Sequence, residues 1–183
     1  MTKKFPDHIP VFPLNGVIYF PKTNLPLNIF EQRYLNLVND AYSKDKLMGM
    51  VQSKKESESV YQIGCLGKIS DFQKNRDGRI LINLTGISRF KIVEEISNNK
   101  LYREFKVDYK DFNEDNNGSK NLIDTRLLME NSKKFFKRNG LLLNWREFEK
   151  LDQSQKINTL AMIAPITNEE KQKLLESISL KNK

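Results

Sequence analysis

The sequence predicts an α+β protein whose β-rich first part curls into a closed or half-closed barrel and whose second part is a small helical bundle. Three observations carry this. Asn75-Arg76-Asp77-Gly78 stands between two β-rich runs, Ile63 to Gln73 and Arg79 to Thr85, and Asp-Gly in that setting is a strong hairpin signal. Apolar side chains occupy both faces of the first run, Ile63, Cys65 and Ile69 on one and Leu66 and Phe72 on the other. Burial on two sides suits a barrel better than a flat open sheet. Finally, only helical patterns follow "DFNEDNNGSKN", Asp111 to Asn121.

Taken in order, the chain opens with Pro6, Pro10, Pro13, Pro21 and Pro26 among large apolar residues. Proline cannot donate to a sheet ladder and belongs at strand ends, edges or bulges. Short strands are therefore expected at Ile9 to Leu14 and Val17 to Phe20, bent at Asn15-Gly16 and Phe20-Pro21. From Glu31 the period changes: Tyr34, Leu35, Val38, Ala41 and Tyr42 recur at helical spacing and predict one amphipathic helix. Leu47 to Gln52 reads as a strand and the polar "SKKESES" behind it as a loop. Gly64 and Gly67 interrupt the next strand, as expected at a bend, a bulge or a close backbone approach. Phe90 to Ile96 and Tyr102 to Tyr109 add two strands with Asn98-Asn99 as their turn.

Asp111 to Asn121 is polar, with almost nothing apolar to bury, and reads as a mobile connector. The expected division is thus a β part over 1–110, a connector over 111–121 and a helical part over 122–183. In the helical part Asn121 is placed to cap a helix running to Asn139, with Gly140 as its left-handed stop. Asp152 with Gln155 and Thr167 with Glu170 have the spacing of capping boxes. The first opens a helix that buries Ile157, Leu160, Ala161 and Ala164 before Pro165; the second opens one with Leu174, Leu175 and Ile178 inward.

Composition excludes several function classes. No stretch approaches the roughly 20 apolar residues of a membrane-spanning helix, and the prolines break every apolar run behind Lys3 and Lys4, so a secretory signal is not expected. Cys65 is the single cysteine and His8 the single histidine of 183 residues, which rules out a Cys/His zinc site within the chain. A cytoplasmic home follows as the expectation. The formal charge is +8, of which an excess of six lies in residues 1–110 and two in 111–183. Because Lys and Asn are abundant throughout, this reads as a solvated basic surface ahead of a dedicated polyanion site. Gly67-Lys68 lacks the upstream glycine of a phosphate loop, and neither a Gly-x-Ser-x-Gly elbow nor a His-Glu-x-x-His helix is present. Cys65, between Gly64 and Leu66, reads as a buried strand thiol. The acidic pairs are sequence neighbours whose side chains diverge. No enzyme, cofactor or metal is expected.

"PLNGVIYFPKTNLPLNIFEQRYLNLVNDAY" and "IGCLGKISDFQKNRDGRILINLTGISRFKI" together resemble the N-terminal substrate-binding domain of the ATP-dependent Lon protease. The resemblance rests on Phe20-Pro21, on Glu31, Arg33 and Tyr34 at the helix start, on Gly64 and Gly67, and on Gly86, Arg89, Phe90 and Ile92. The tail "LAMIAPITNEEKQKLLE" is similar to that family's helical end. It implies a partly open six-stranded β-barrel, a PUA-like pseudobarrel, with an inserted helix and a C-terminal helical bundle. It also implies a stand-alone form of the domain, without the ATPase and Ser-Lys peptidase parts.

The function implied is a non-catalytic module that binds an unfolded or extended polypeptide, or another protein. Strand addition to an open barrel edge is the physical route, with apolar pockets between barrel and bundle. Phe72 and the basic hairpin tip of Lys74, Arg76 and Arg79 are the candidate contacts. Core packing for Phe72 and plain solvation for the cations are their simpler roles. The alternative is an RNA-binding PUA-like module, suggested by the charge on the β part. Phe20, Pro21, Gly64, Gly67 and Gly86 read as packing and turn requirements. Arg33, a cation at the positive end of a helix, is expected to reach across to the barrel and fasten helix to sheet.

Overall fold

The computed structural model describes residues 5–54, 58–117 and 124–178. Six strands, β1 (His8–Leu14), β2 (Asn24–Ile29), β3 (Leu47–Gln52), β4 (Ile63–Lys74), β5 (Ile80–Ile96) and β6 (Arg103–Asp108), form one sheet. Helix α1 (Gln32–Ser43) lies between β2 and β3. After the sheet come a 3₁₀ turn (Lys110–Phe112), α2 (Asn113–Asn117), α3 (Arg126–Arg138), α4 (Trp145–Glu149), α5 (Gln153–Ile163) and α6 (Asn168–Glu176).

The strand order is β2-β5-β4-β3-β1-β6, and the far half of β5 also pairs with β6. Four strands, β4, β3, β1 and β6, therefore lead from β5 back to β5, while β2 hangs from its near half. The β1–β3 pair is parallel, which a tight turn cannot make; β2 and α1 supply the crossover. β5 is one continuous strand where the sequence suggested two, Arg79 to Thr85 and Phe90 to Ile96. Its pairing shifts at Gly86 to Ser88, opposite Leu66 and Gly67, so the expected irregularity at Gly67 is a bulge that bends β5 without ending it.

Apolar residues alternate between two clusters on the two faces of the sheet. Phe12, Met50, Cys65, Ile69 and Ile82 join α1 on one face; Val11, Val51, Leu66 and Phe90 meet on the other. Phe72 departs from the expected alternation and packs with the Cys65 face. The cause is the register shift between Ile69 and Asp71: one extra residue, Ser70, flips every side chain after it to the opposite face.

Val17 to Phe20 is not a strand. Ile18, Tyr19 and Phe20 are nonetheless buried, with Ile18 and Phe20 against Ala161 and Leu175 and Tyr19 in the α1 cluster. The segment is apolar on both sides because it runs between sheet and helices, flanked by positive-φ turns at Gly16 and Lys22. The strand in this region is β2 instead, where the sequence reading assigned no element. Proline is tolerated there since β2 pairs on one side only.

Helices stand where predicted at α5 and α6, and α3 runs to Arg138 but starts at Arg126 behind Thr125, later than a cap at Asn121 required. Both capping boxes form, and Gly140 has φ 63° behind α3. Asn121 lies outside the described residues. Helix α4 was not foreseen; Phe136, Phe148 and Leu160 bring α3, α4 and α5 together. Ala164 is only half-buried and Ile178, expected inward, is exposed, because α6 ends at Glu176 and the backbone beyond it turns away from the helical spacing.

The segment taken as a connector is anchored to the sheet at two of its described residues, while Asp111, Asn113 and Glu114 are exposed. Phe112 is 2% exposed, and Asp115 pairs with Arg89 of β5. Composition missed this, since one aromatic ring and one charge suffice as anchors. Residues 118–121 of that segment lie outside the described residues.

Candidate functional site

The β4–β5 hairpin closes as its sequence dictates. Asn75 N–H donates to Arg79 O (2.8 Å) and Gly78 N–H to Asn75 O (3.1 Å), and Gly78 takes φ 87°, where a Cβ would be strained. The turn projects Lys74, Arg76 and Arg79 into solvent. Arg79 approaches Asp77 at 3.5 Å; Lys74 and Arg76 have no ion-pair partner among the described residues. Phe72 does not join them. Its ring stacks on Tyr42 of α1, centroids 4.2 Å apart and 20° from parallel, on the opposite face of the hairpin from Asp71 and Gln73. Of the four expected contacts the structure gathers the three cations and assigns Phe72 to the hairpin–helix junction.

A groove of about 360 Å³ runs beside the tip, lined by Pro26 and Asn28 of β2, Leu81 and Asn83 of β5, and Asp71 and Gln73 of β4. These residues share one outward face: Pro26 sits opposite Asn83 and Asn28 opposite Leu81, and Asn83 in turn faces Asp71. The sequence reading missed them. The available signal was Leu81, which lies between the core residues Ile80 and Ile82 and so must point outward.

The groove borders the unpaired side of β2. Gly86 N–H donates to Thr23 O at 2.9 Å, which sets the parity of the β2–β5 ladder: Leu25, Leu27 and Ile29 bond to β5, whereas Asn24, Pro26 and Asn28 turn their backbone groups away from it. The free edge thus offers the N–H groups of Asn24 and Asn28, with a gap at Pro26, which has none.

A second, polar cleft of about 600 Å³ includes Asn15, Glu31, Arg33, Glu58, Glu95 and Arg103. Its cations are already matched. Arg103 forks onto Glu95 with two bonds of 2.6 Å and donates to Glu58 O at 2.9 Å, which holds the Glu95 carboxyl below the usual carboxylate range. Arg33 corrects the expectation made for it. It binds Glu31 at 2.8 Å with its side chain 55% exposed and lies 4.6 Å over the Tyr34 ring; it does not reach the sheet. Glu31 precedes the helix in extended conformation, so the helical spacing that separates positions two apart does not apply to it.

The fastening role belongs to Arg89. Its side chain is 1% exposed, against Asp115 at 6%. It donates to both carboxylate oxygens of Asp115 at 2.9 and 2.8 Å, to Leu175 O at 3.0 Å, and to Ser177 O. The Phe112 ring lies 4.5 Å from the guanidinium carbon. One side chain thereby ties β5 to α2 and to the end of α6. The glycines serve close packing. A Cβ on Gly86 would lie 2.3 Å from Phe20 O, one on Gly64 2.4 Å from Met50 O, and one on Gly67 2.6 Å from the Tyr19 hydroxyl. Phe20-Pro21 and Gly86 are thus one contact written at two distant places in the chain. Cys65 is buried, and no group of three or more His, Cys, Asp or Glu among the described residues is placed to hold a metal ion.

The model of the ATP-dependent protease La (LON) substrate-binding domain matches residues 8–183. The chain belongs to this family. The Lon protease of Syntrophus aciditrophicus (strain SB) is 27% identical over 198 residues, covering 98% of this chain and 24% of that protein. The Lon protease of Desulfosudis oleivorans is 32% identical over 97 residues, covering 49% of this chain and 12% of that protein. The chain therefore spans about a quarter or less of the curated relatives it matches. Among solved structures, the N-terminal domain of a Mycobacterium avium complex Lon protease superposes with a TM-score of 0.70 at 16% identity, over 96% of this chain and 92% of that one. A Lon N-terminal domain protein from Xanthomonas campestris gives 0.66 at 19%, over 94% and 92%. These likenesses establish the LON N-terminal fold; the groove and the hairpin tip are properties of this chain's own residues.

Proposed function

We propose that this LON-family domain is a non-catalytic module that holds unfolded or extended polypeptide. The observation that carries the reading is the groove with Leu81 at its floor, set beside the unpaired edge of β2 in a chain of the substrate-binding family. An extended segment would bond Asn24 and Asn28 through its backbone and place a side chain in the groove. Lys74 and Arg76 would meet carboxylates flanking that side chain. Phe72 supports the site from behind through Tyr42. The sheet, with four strands leading from β5 back to β5, serves as a partly open PUA-like pseudobarrel, and residues 122–183 as the appended helical part. Action in the cytoplasm, without ATPase or peptidase chemistry of its own, completes the proposal. RNA is the weaker reading, because the ring nearest the hairpin cations is already stacked on Tyr42.

The test is fluorescence anisotropy with two labelled probes, a carboxymethylated, permanently unfolded polypeptide and a single-stranded RNA. The expected result is saturable binding of the polypeptide, weakened about tenfold by Leu81→Glu through loss of apolar contact, with an unchanged melting curve. Tight RNA binding and no polypeptide binding would overturn it.

A further inference from the structure

Helix α3 and the turn behind it present a surface that the groove does not use. The inner side of α3 is occupied: Phe136 is buried and Met129 packs with it. On the outer side Leu127, Leu128 and Phe135 are exposed, and past Gly140 so are Leu141 and Leu142. Leu142, in the irregular segment past the turn, is 99% exposed. Cations are interleaved with these groups. Arg126 and Lys133 are spent on Asp124 and Glu149, whereas Lys134, Lys137 and Arg138 have no ion-pair partner among the described residues. Lys137 and Arg138 in the last turn suit the negative end of the helix, but that explains none of the leucines.

We propose that this face rests on an anionic lipid surface. An extended polypeptide needs a groove, and here the apolar groups project. A knob of leucines ringed by unpaired cations is complementary to a soft, negatively charged interface that yields around it, with Leu142 and Phe135 entering the acyl boundary and Lys134, Lys137 and Arg138 meeting phosphates. No helix among the described residues is long and apolar enough to cross a membrane; the sequence reading excluded a membrane partner on that ground alone, and lying on a surface is a separate requirement. The inference is independent of the polypeptide groove, which lies on other elements.

Vesicle flotation of the full chain tests it, with phosphatidylcholine alone and phosphatidylcholine mixed with phosphatidylglycerol. The chain is expected to float with the anionic vesicles only. Replacing Lys134, Lys137 and Arg138 together by Gln should lower partitioning about a hundredfold, roughly fivefold per cation. Leu142→Gln should lower it about tenfold, and both variants should melt like the parent. Absence of flotation with anionic vesicles, equal flotation with neutral ones, or parent-like flotation of both variants would overturn the proposal. So would a dimer in light scattering that Leu142→Gln splits, which would make the face a protein interface.

Discussion

Replacing Arg89 by Met keeps the aliphatic stem and removes the guanidinium. In the parent that group makes two bonds to Asp115 and bonds to Leu175 O and Ser177 O, inside a site where neither charged partner is more than 6% exposed. The Asp115 carboxylate would keep one donor, the Arg89 backbone N–H at 2.9 Å, and the carbonyls at the end of α6 would lose theirs. Removing one member of a buried pair costs about 3–5 kcal/mol, because the remaining charge stays buried without its counterion. For a chain of this size that is a fall in melting temperature of about 6–20 °C. Arg89→Lys should fall between, since an ammonium cannot span both carboxylate oxygens and the carbonyls at once. The assay is thermal and urea unfolding by circular dichroism, with Arg33→Met as the comparison. Arg33 is exposed, and its pair with Glu31 contributes about 0–1 kcal/mol. A loss under about 1 kcal/mol for Arg89→Met, or a larger loss for Arg33→Met, would refute the assignment of the fastening role.

Gly86→Ala should destabilise by about 2–4 kcal/mol in the same urea assay, because its methyl would meet the Phe20 carbonyl, which is backbone and cannot swing aside. Phe112→Ala should cost about 3–5 kcal/mol, as expected of an anchored ring; a neutral result would restore the reading of its segment as a loose connector. Glu95→Gln tests the Arg103 pair. A carboxyl held low in the folded state adds stability that is present above its unfolded pKa and lost as pH falls through the depressed folded value. Glu95 is 46% exposed, so the gap between parent and variant should be below about 1 kcal/mol at neutral pH and should close on acidification. A gap that widens toward acid would contradict the pairing.

Much of the fold was legible in the sequence because each signal was local. Asp77-Gly78 dictates its own turn, Asp152 and Thr167 cap the helices they precede, and the period from Glu31 reports α1. What escaped depended on partners distant in the chain. Ser70 reverses the facing of Phe72 through a register shift that only the β4–β5 ladder reveals. Val17 to Phe20 is apolar throughout, like a buried strand, yet it is an irregular segment between the α1 cluster and the helices. Arg33 and Arg89 look alike as isolated cations; what separates them is an acid two residues away in one case and 26 residues away in the other. The candidate site was half legible. The hairpin cations announce themselves, but the groove is assembled from three strands, one of which, β2, was assigned no element in the sequence.

The central claim, that extended polypeptide lies along the free edge of β2, is tested most directly by amide hydrogen exchange, resolved by residue, with and without the carboxymethylated polypeptide at saturation. The backbone N–H groups of Asn24 and Asn28 point away from β5 and have no strand partner among the described residues. The account predicts that both gain protection on binding while Leu25, Leu27 and Ile29, already bonded to β5, change little. Saturated binding that leaves Asn24 and Asn28 exchanging as in the free protein, with protection appearing only elsewhere, would contradict it.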